Sequence, residues 1–109
     1  MPALFRMILA AFLMAGSAAA ARAAMVGLGN QDCGTWTTNN PAKGGLGLFY
    51  QQWVFGFLSG ASQANPDRDP LKGVDASAIM QWLDDYCQHN PNVPLAAAAA
   101  AFVQAHRPP

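Results

Sequence analysis

Few side chains in this chain could carry chemistry, and their spacing matters more than their number. The candidates are Cys33 and Cys87, His89 and His106, the adjacent pair Asp84 and Asp85, and Ser59. Zinc sites want ligands at i and i+3 or i+4 on a helix, or paired Cys-x-x-Cys units. Cys87 and His89 stand two apart and meet neither pattern. The Cys-x-x-Cys-His of a c-type haem and the Cys-x-x-Cys of a thioredoxin-like redox centre are both absent. Asp84 and Asp85 project about 100° apart on a helix, so they do not face one another as a hydrolytic carboxylate pair. Their plain reading is a solvated helix face. Ser59 lies in Leu58-Ser59-Gly60-Ala61 rather than in Gly-x-Ser-x-Gly after a strand. The expectation is a protein that is not an enzyme, with no metal and no cofactor.

The N-terminus says where such a protein works. One early cation, Arg6, precedes the apolar stretch Met7 to Ala15, followed by Gly16, Ser17 and an alanine run. This is the pattern of a secretory signal peptide, with cleavage after Ala21-Arg22-Ala23 or after Ala19-Ala20-Ala21. Residues 1–23 are read as the signal peptide and 24–109 as a single domain of about 86 residues. An uncleaved anchor is the competing reading, weakened by Gly16 and Arg22 within the segment. Export to an oxidising periplasm makes Cys33 and Cys87 one disulfide, against free thiols or an intermolecular bridge. A bridge closing a loop of about 55 residues contributes roughly 4 kcal/mol on a chain-entropy treatment.

The mature charges are Lys43, Arg68, Lys72 and Arg107 against Asp32, Asp67, Asp69, Asp75, Asp84 and Asp85, a net of about −2. There is no glutamate and no basic cluster. Nucleic acid is therefore disfavoured as a partner, since phosphate binding needs several positioned cations. A basic amphipathic helix for membrane surfaces is also missing, so no membrane association is expected after cleavage.

The elements that would position these residues are helices. Met25 to Gly47 is dense in glycine and reads as irregular, with Thr35-Trp36-Thr37-Thr38 as a short extended piece. A first helix is expected from Leu48 to Ser62, with Phe49, Trp53 and Phe57 recurring every fourth residue. Gly56 and Gly60 each cost about 1 kcal/mol of helix propensity, which suggests close approach by another backbone. Ala64 to Gly73 is a loop broken by Pro66 and Pro70. A second helix is expected from Ala76 to His89, capped by Asp75 and ended by Asn90-Pro91, with Ile79, Leu83, Tyr86 and Cys87 inward. A third is expected from Pro94 to Ala105, with Leu95, Ala98, Phe102 and Ala105 buried and a frayed tail after it. The fold class is all-α: a small three- to four-helix domain, its irregular N-terminal segment tied by one disulfide to the second main helix.

Partner-binding candidates follow from exposure. The loop offers Asp67, Arg68 and Asp69. Among the aromatics, Trp53 and Phe57 are assigned to the core, while Trp36 and Trp82 are candidate interface anchors.

Three stretches carry a family resemblance: Asp32-Cys33-Gly34-Thr35-Trp36, then Trp53-Val54-Phe55-Gly56-Phe57-Leu58-Ser59-Gly60, then Trp82-Leu83-Asp84-Asp85-Tyr86-Cys87 with Asn90-Pro91 and an alanine-rich helix. The chain from about Cys33 to Val103 resembles small exported proteobacterial proteins of the Rap/Tai immunity type, with a general similarity to HdeA-like periplasmic proteins. The resemblance implies an α-helical domain, a disulfide between the matched cysteines and a periplasmic location. It also implies a protein partner, since some members neutralise type VI secretion effectors such as peptidoglycan amidases. The segment between Trp36 and Leu46 departs from the family pattern, being richer in Gly and Asn. The leading expectation is a periplasmic interaction protein, in particular an immunity protein against a secreted toxin or cell-wall hydrolase. An acid-activated HdeA-like chaperone is the alternative, and an exported protein with a small-ligand role the third reading.

Overall fold

The computed structural model describes residues 25–109, so the segment read as a signal peptide lies outside the described residues. These contain four α-helices: α1 (Cys33–Thr38), α2 (Leu46–Ala64), α3 (Ala76–His89) and α4 (Leu95–His106). Short 3-10 turns at Leu28–Asn30, Pro41–Lys43 and Pro66–Arg68 connect them. Among the described residues there is no strand, only an isolated bridge between Asp32 and Pro94. The protein is all-α, and Cys33 is bonded to Cys87 with their Cα atoms 4.9 Å apart.

The main helices begin and end where local chemistry says they should. Asp75 caps α3, its carboxylate accepting from the Ala78 N–H at 2.9 Å and from the Ser77 hydroxyl at 2.9 Å. Asn90 and Pro91 end it. Ile79, Leu83 and Cys87 form its buried stripe, while Tyr86 lies half-buried beside them. Pro94 is the cap residue of α4 rather than its first turn, and the Leu95 N–H is taken by the Gln31 carbonyl at 2.8 Å. Leu95, Ala98 and Phe102 are buried as expected, joined by Ala96, Ala99 and Val103. Ala105 is exposed, because the buried face of α4 ends with Phe102 and Val103.

The N-terminal segment differs from the expectation. Thr35 to Thr38 is helical, not extended. Isolated, six residues are too few to sustain a helix. Here the first N–H groups of α1 are satisfied from outside it: Cys33 donates to the Val93 carbonyl at 2.7 Å and Gly34 to the Pro91 carbonyl at 2.9 Å. These bonds and the disulfide seat α1 on the α3–α4 turn, and tertiary contact overrides the β preference of threonine and tryptophan.

The rotation of α2 also differs. Its buried side is Gly47, Tyr50, Val54 and Leu58, one position beyond the Phe49/Trp53/Phe57 row. Both rows are apolar at helical spacing, so periodicity alone does not choose between them. Gly47 does: a Cβ there would overlap the Asn39 carbonyl, so this side of α2 is pressed against the Asn39–Asn40 backbone. Trp53 and Phe57 are half-buried and stacked at 5.6 Å. The Trp53 ring covers Gly29, where a Cβ would overlap it, and its Nε1 donates to the Val26 carbonyl at 3.1 Å. Phe49 is 65% exposed.

Asp84 corrects a third expectation. It does not lie on a solvated face. Its Oδ1 accepts from the Trp36 indole Nε1 at 2.8 Å and from Asn40 Nδ2 at 2.8 Å. Asn40 in turn caps the Pro41–Lys43 turn through the Ala42 N–H at 2.9 Å. One carboxylate oxygen thus joins α1, that turn and α3. Replacing Asp84 by Ala strands a fully buried indole N–H, and unfolding in urea is expected to show a loss of about 1–3 kcal/mol. Asp84→Asn keeps an acceptor oxygen and is expected to retain most of the stability. Equal losses in the two variants would show that the acceptor does not matter.

Candidate interaction surface

The structure sorts the sequence-derived candidates into two groups. Trp36 is fully buried in the core with its N–H committed to Asp84, so it is not an interface anchor. Asp69 is an internal staple: its Oδ1 accepts from the Ser62 hydroxyl at 2.7 Å and the Leu71 N–H at 2.8 Å. These bonds hold the loop against the end of α2 beside the buried Pro70. Asp67 and Arg68 are exposed on the Pro66–Arg68 turn, and Trp82 is half-buried on α3.

The C-terminal tail links the Pro66–Arg68 turn to the end of α4. The Arg68 Nε donates to the Pro108 carbonyl at 3.1 Å. Arg107 and Pro108 are half-buried, so the tail is held rather than frayed. Two residues before Pro108, His106 stacks on Phe102 at 3.8 Å and meets the edge of Trp82 at 5.9 Å. Trp82 also stacks on Tyr86 at 5.0 Å and meets Phe102 edge-on at 5.4 Å. The His106 Nδ1 lies 2.9 Å from the Phe102 carbonyl. A carbonyl only accepts, so Nδ1 carries the proton and a neutral ring presents Nε2 as an acceptor. Arg107 Nε is enclosed and has no hydrogen-bond partner among the described residues. The tail thus runs from the cluster of Trp82, Tyr86, Phe102 and His106 to the Pro66–Arg68 turn. That tail contact had no counterpart in the sequence reading, since a terminal Arg-Pro-Pro carries no periodicity.

A second feature lies at the join of α2 and α3. An open apolar pocket of about 170 Å³ is lined by Phe55, Leu58, Ser59, Leu71, Ala76 and Ile79. The Ser59 hydroxyl is its one polar side chain, with no titratable group beside it in the lining. On α2, Leu46, Leu48 and Phe49 are exposed around its first turn, and Gly56 and Gly60 are exposed farther along. Nothing approaches where a Cβ would stand on either glycine, so the expected close backbone contact is not made within the described chain.

Among the described residues, no group of three His, Cys, Asp or Glu side chains is placed to hold a metal, and no helix is long and apolar enough to cross a membrane. Comparison with protein-family models, with curated proteins and with solved structures finds no match for the chain.

Two carboxylates on the loop side of the molecule are held as anions by the fold. The Ser62 hydroxyl, then the Leu71 N–H and the Lys72 charge, lower the pKa of Asp69. The Ala78 N–H, then the Ser77 hydroxyl, lower that of Asp75. A folded-state pKa below the unfolded value gives stability that is fully present above about pH 4 and lost as the pH falls through the folded value. Melting curves are therefore expected to hold steady down to about pH 5 and to fall below about pH 4. The pair Asp69→Asn and Asp75→Asn is expected to flatten that fall. An acid limb as steep in the double variant would place the proton uptake elsewhere.

Proposed function

We propose that this chain is an exported, non-enzymatic protein-interaction domain of the periplasm, acting as an immunity protein that neutralises a secreted toxin or cell-wall hydrolase. The observation that carries this reading is the Arg68–Pro108 hydrogen bond, which ties the exposed Pro66–Arg68 turn to the tail that follows the Trp82–Phe102–His106 cluster. Tryptophan, tyrosine and arginine are the residue types that dominate binding energy at protein interfaces. An inhibitor also gains from a surface ordered before binding, because less freedom is lost on docking. The disulfide and the Asp69 staple provide that order. The Rap/Tai resemblance supports the partner class.

The test is affinity capture by the oxidised protein from periplasmic and culture-supernatant extracts, followed by a hydrolase assay on whatever binds. One stoichiometric hydrolase or toxin, inhibited by the chain, is expected. Arg68→Ala and Trp82→Ala are each expected to weaken that complex by about 10-fold or more while the helical signal is unchanged. Failure to capture any such protein, or full affinity in both variants, would overturn the proposal.

A second reading, the acid-activated holdase, is favoured by a different observation. Asp69 and Asp75 each hold two contacts through a single carboxylate oxygen. Protonation weakens these together and loosens the loop and the α3 cap. Under this reading a dye that reports exposed apolar surface brightens below about pH 4 while helical signal persists. A dark dye across that range would exclude it.

A further inference from the structure

The large apolar side chains that stay exposed are not spread over the molecule. Among the described residues they are Met25, Val26, Leu46, Leu48 and Phe49, all at the N-terminus or the first turn of α2. Leu48 lies on the other flank of α2, but Leu46, Phe49 and Trp53 follow one another at spacings of three and four along one side. Trp53 brings the N-terminus to that side, since its Nε1 donates to the Val26 carbonyl at 3.1 Å. Val26 is 81% exposed and Phe49 65%. The Met25 carbonyl is held as well, accepting from Asn30 Nδ2 at 2.8 Å. The described chain thus begins at a fixed point beside an apolar patch.

We propose that this patch rests on a lipid bilayer, with the apolar stretch before Met25 retained and inserted beside it. The occupant follows from the chain that leads into the patch. Residues 7–21 carry no charge. Only residues 22–24 separate them from Met25, a reach of at most about 14 Å. A bilayer that holds residues 7–21 therefore lies within that distance of Met25, and Val26 and Phe49 are the side chains it meets. The stretch is shorter than an ordinary span, and two membrane contacts hold where one is marginal. Trp53 suits the boundary, since tryptophan collects where membrane meets water. Lys43, exposed just before α2, is placed to meet anionic headgroups.

The same hydrogen bonds favour retention of the stretch. A peptidase cutting after Ala21 or Ala23 needs the residues that follow to be free, and proteolysis of a folded chain waits on local opening. With Met25 and Val26 bonded to the body, the folded chain withholds them. On this reading export leaves the protein tethered on the periplasmic side. The contact also leaves the rest of the surface free. α2 is about 28 Å long, and the exposed Asp67 and Arg68 follow its far end. The membrane contact therefore stands whether or not the Pro66–Arg68 turn binds a toxin.

The oxidised full chain in vesicles of phosphatidylethanolamine and phosphatidylglycerol with brominated acyl chains tests this. Bromine quenches only the tryptophans that reach the lipid. The emission added by Phe49→Trp is expected to be largely quenched, and that added by Asp67→Trp to be unaffected. Both positions are exposed, and an unchanged helical spectrum confirms that the variants fold. In cells that export the protein, the membrane fraction is expected to hold chains that still carry residues 7–21. A body that merely hangs from its N-terminal stretch gives the same quenching at both positions. That result, or a soluble protein beginning at Arg22 or Ala24, would overturn the proposal.

Discussion

The Cys33–Cys87 bond is the constraint on which the rest of the structure depends. It links positions 54 residues apart, and both sulfurs are buried in the core. Around it three kinds of contact converge on α1: two backbone bonds from the α3–α4 turn, the Trp36 indole bonded to Asp84, and the bridge itself. None would hold a six-residue helix alone. Together they fix a segment whose composition favours irregular backbone, and that segment supplies the largest side chain of the core, Trp36. A domain this small has little apolar volume to spare, so placing one tryptophan correctly is a large share of its stability.

The same logic runs outward to α2. With α1 seated, the Asn39–Asn40 backbone lies where Gly47 must pass, and a side chain on Gly47 would not fit. The rotation of α2 is thereby set. Tyr50, Val54 and Leu58 turn inward, while Trp53 is left to cover Gly29 at the N-terminal turn. Phe49 is left in solvent as a consequence. An exposed phenylalanine here is the outcome of a choice made at Gly47, not of a gap in the hydrophobic pattern.

This explains which features were legible in the sequence. The two capped helices could be read closely, because Asp75, Asn90-Pro91 and Pro94 are local signals with local mechanisms. The disulfide followed from compartment and count. The face of α2 was not legible, since two adjacent apolar rows share the same period and the deciding contact is with the backbone of another segment. Nor was α1, whose hydrogen-bond partners lie more than 50 residues away. The candidate surface was half legible. Asp67, Arg68 and Trp82 stand out by type, but Trp36 and Asp69 looked equally available until their hydrogen bonds were seen. Aspartate in a turn either faces a partner or staples the loop, and composition does not distinguish the two.

The distribution of charge separates two helices that otherwise look alike. Both α2 and α4 lack Asp, Glu, Lys and Arg. For α4 the reason is internal: it packs against α2 and α3, and its alanines keep it thin enough to fit between them. Alanine also carries no side-chain entropy cost, so the same residues that fit the space favour the helix. For α2 burial explains one side only. The opposite side carries the polar Gln52 and Gln63, and it has Gly56 and Gly60 where alanine would stabilise the helix. Folding stability does not account for the glycines, because nothing in the described chain touches that side where their Cβ atoms would stand.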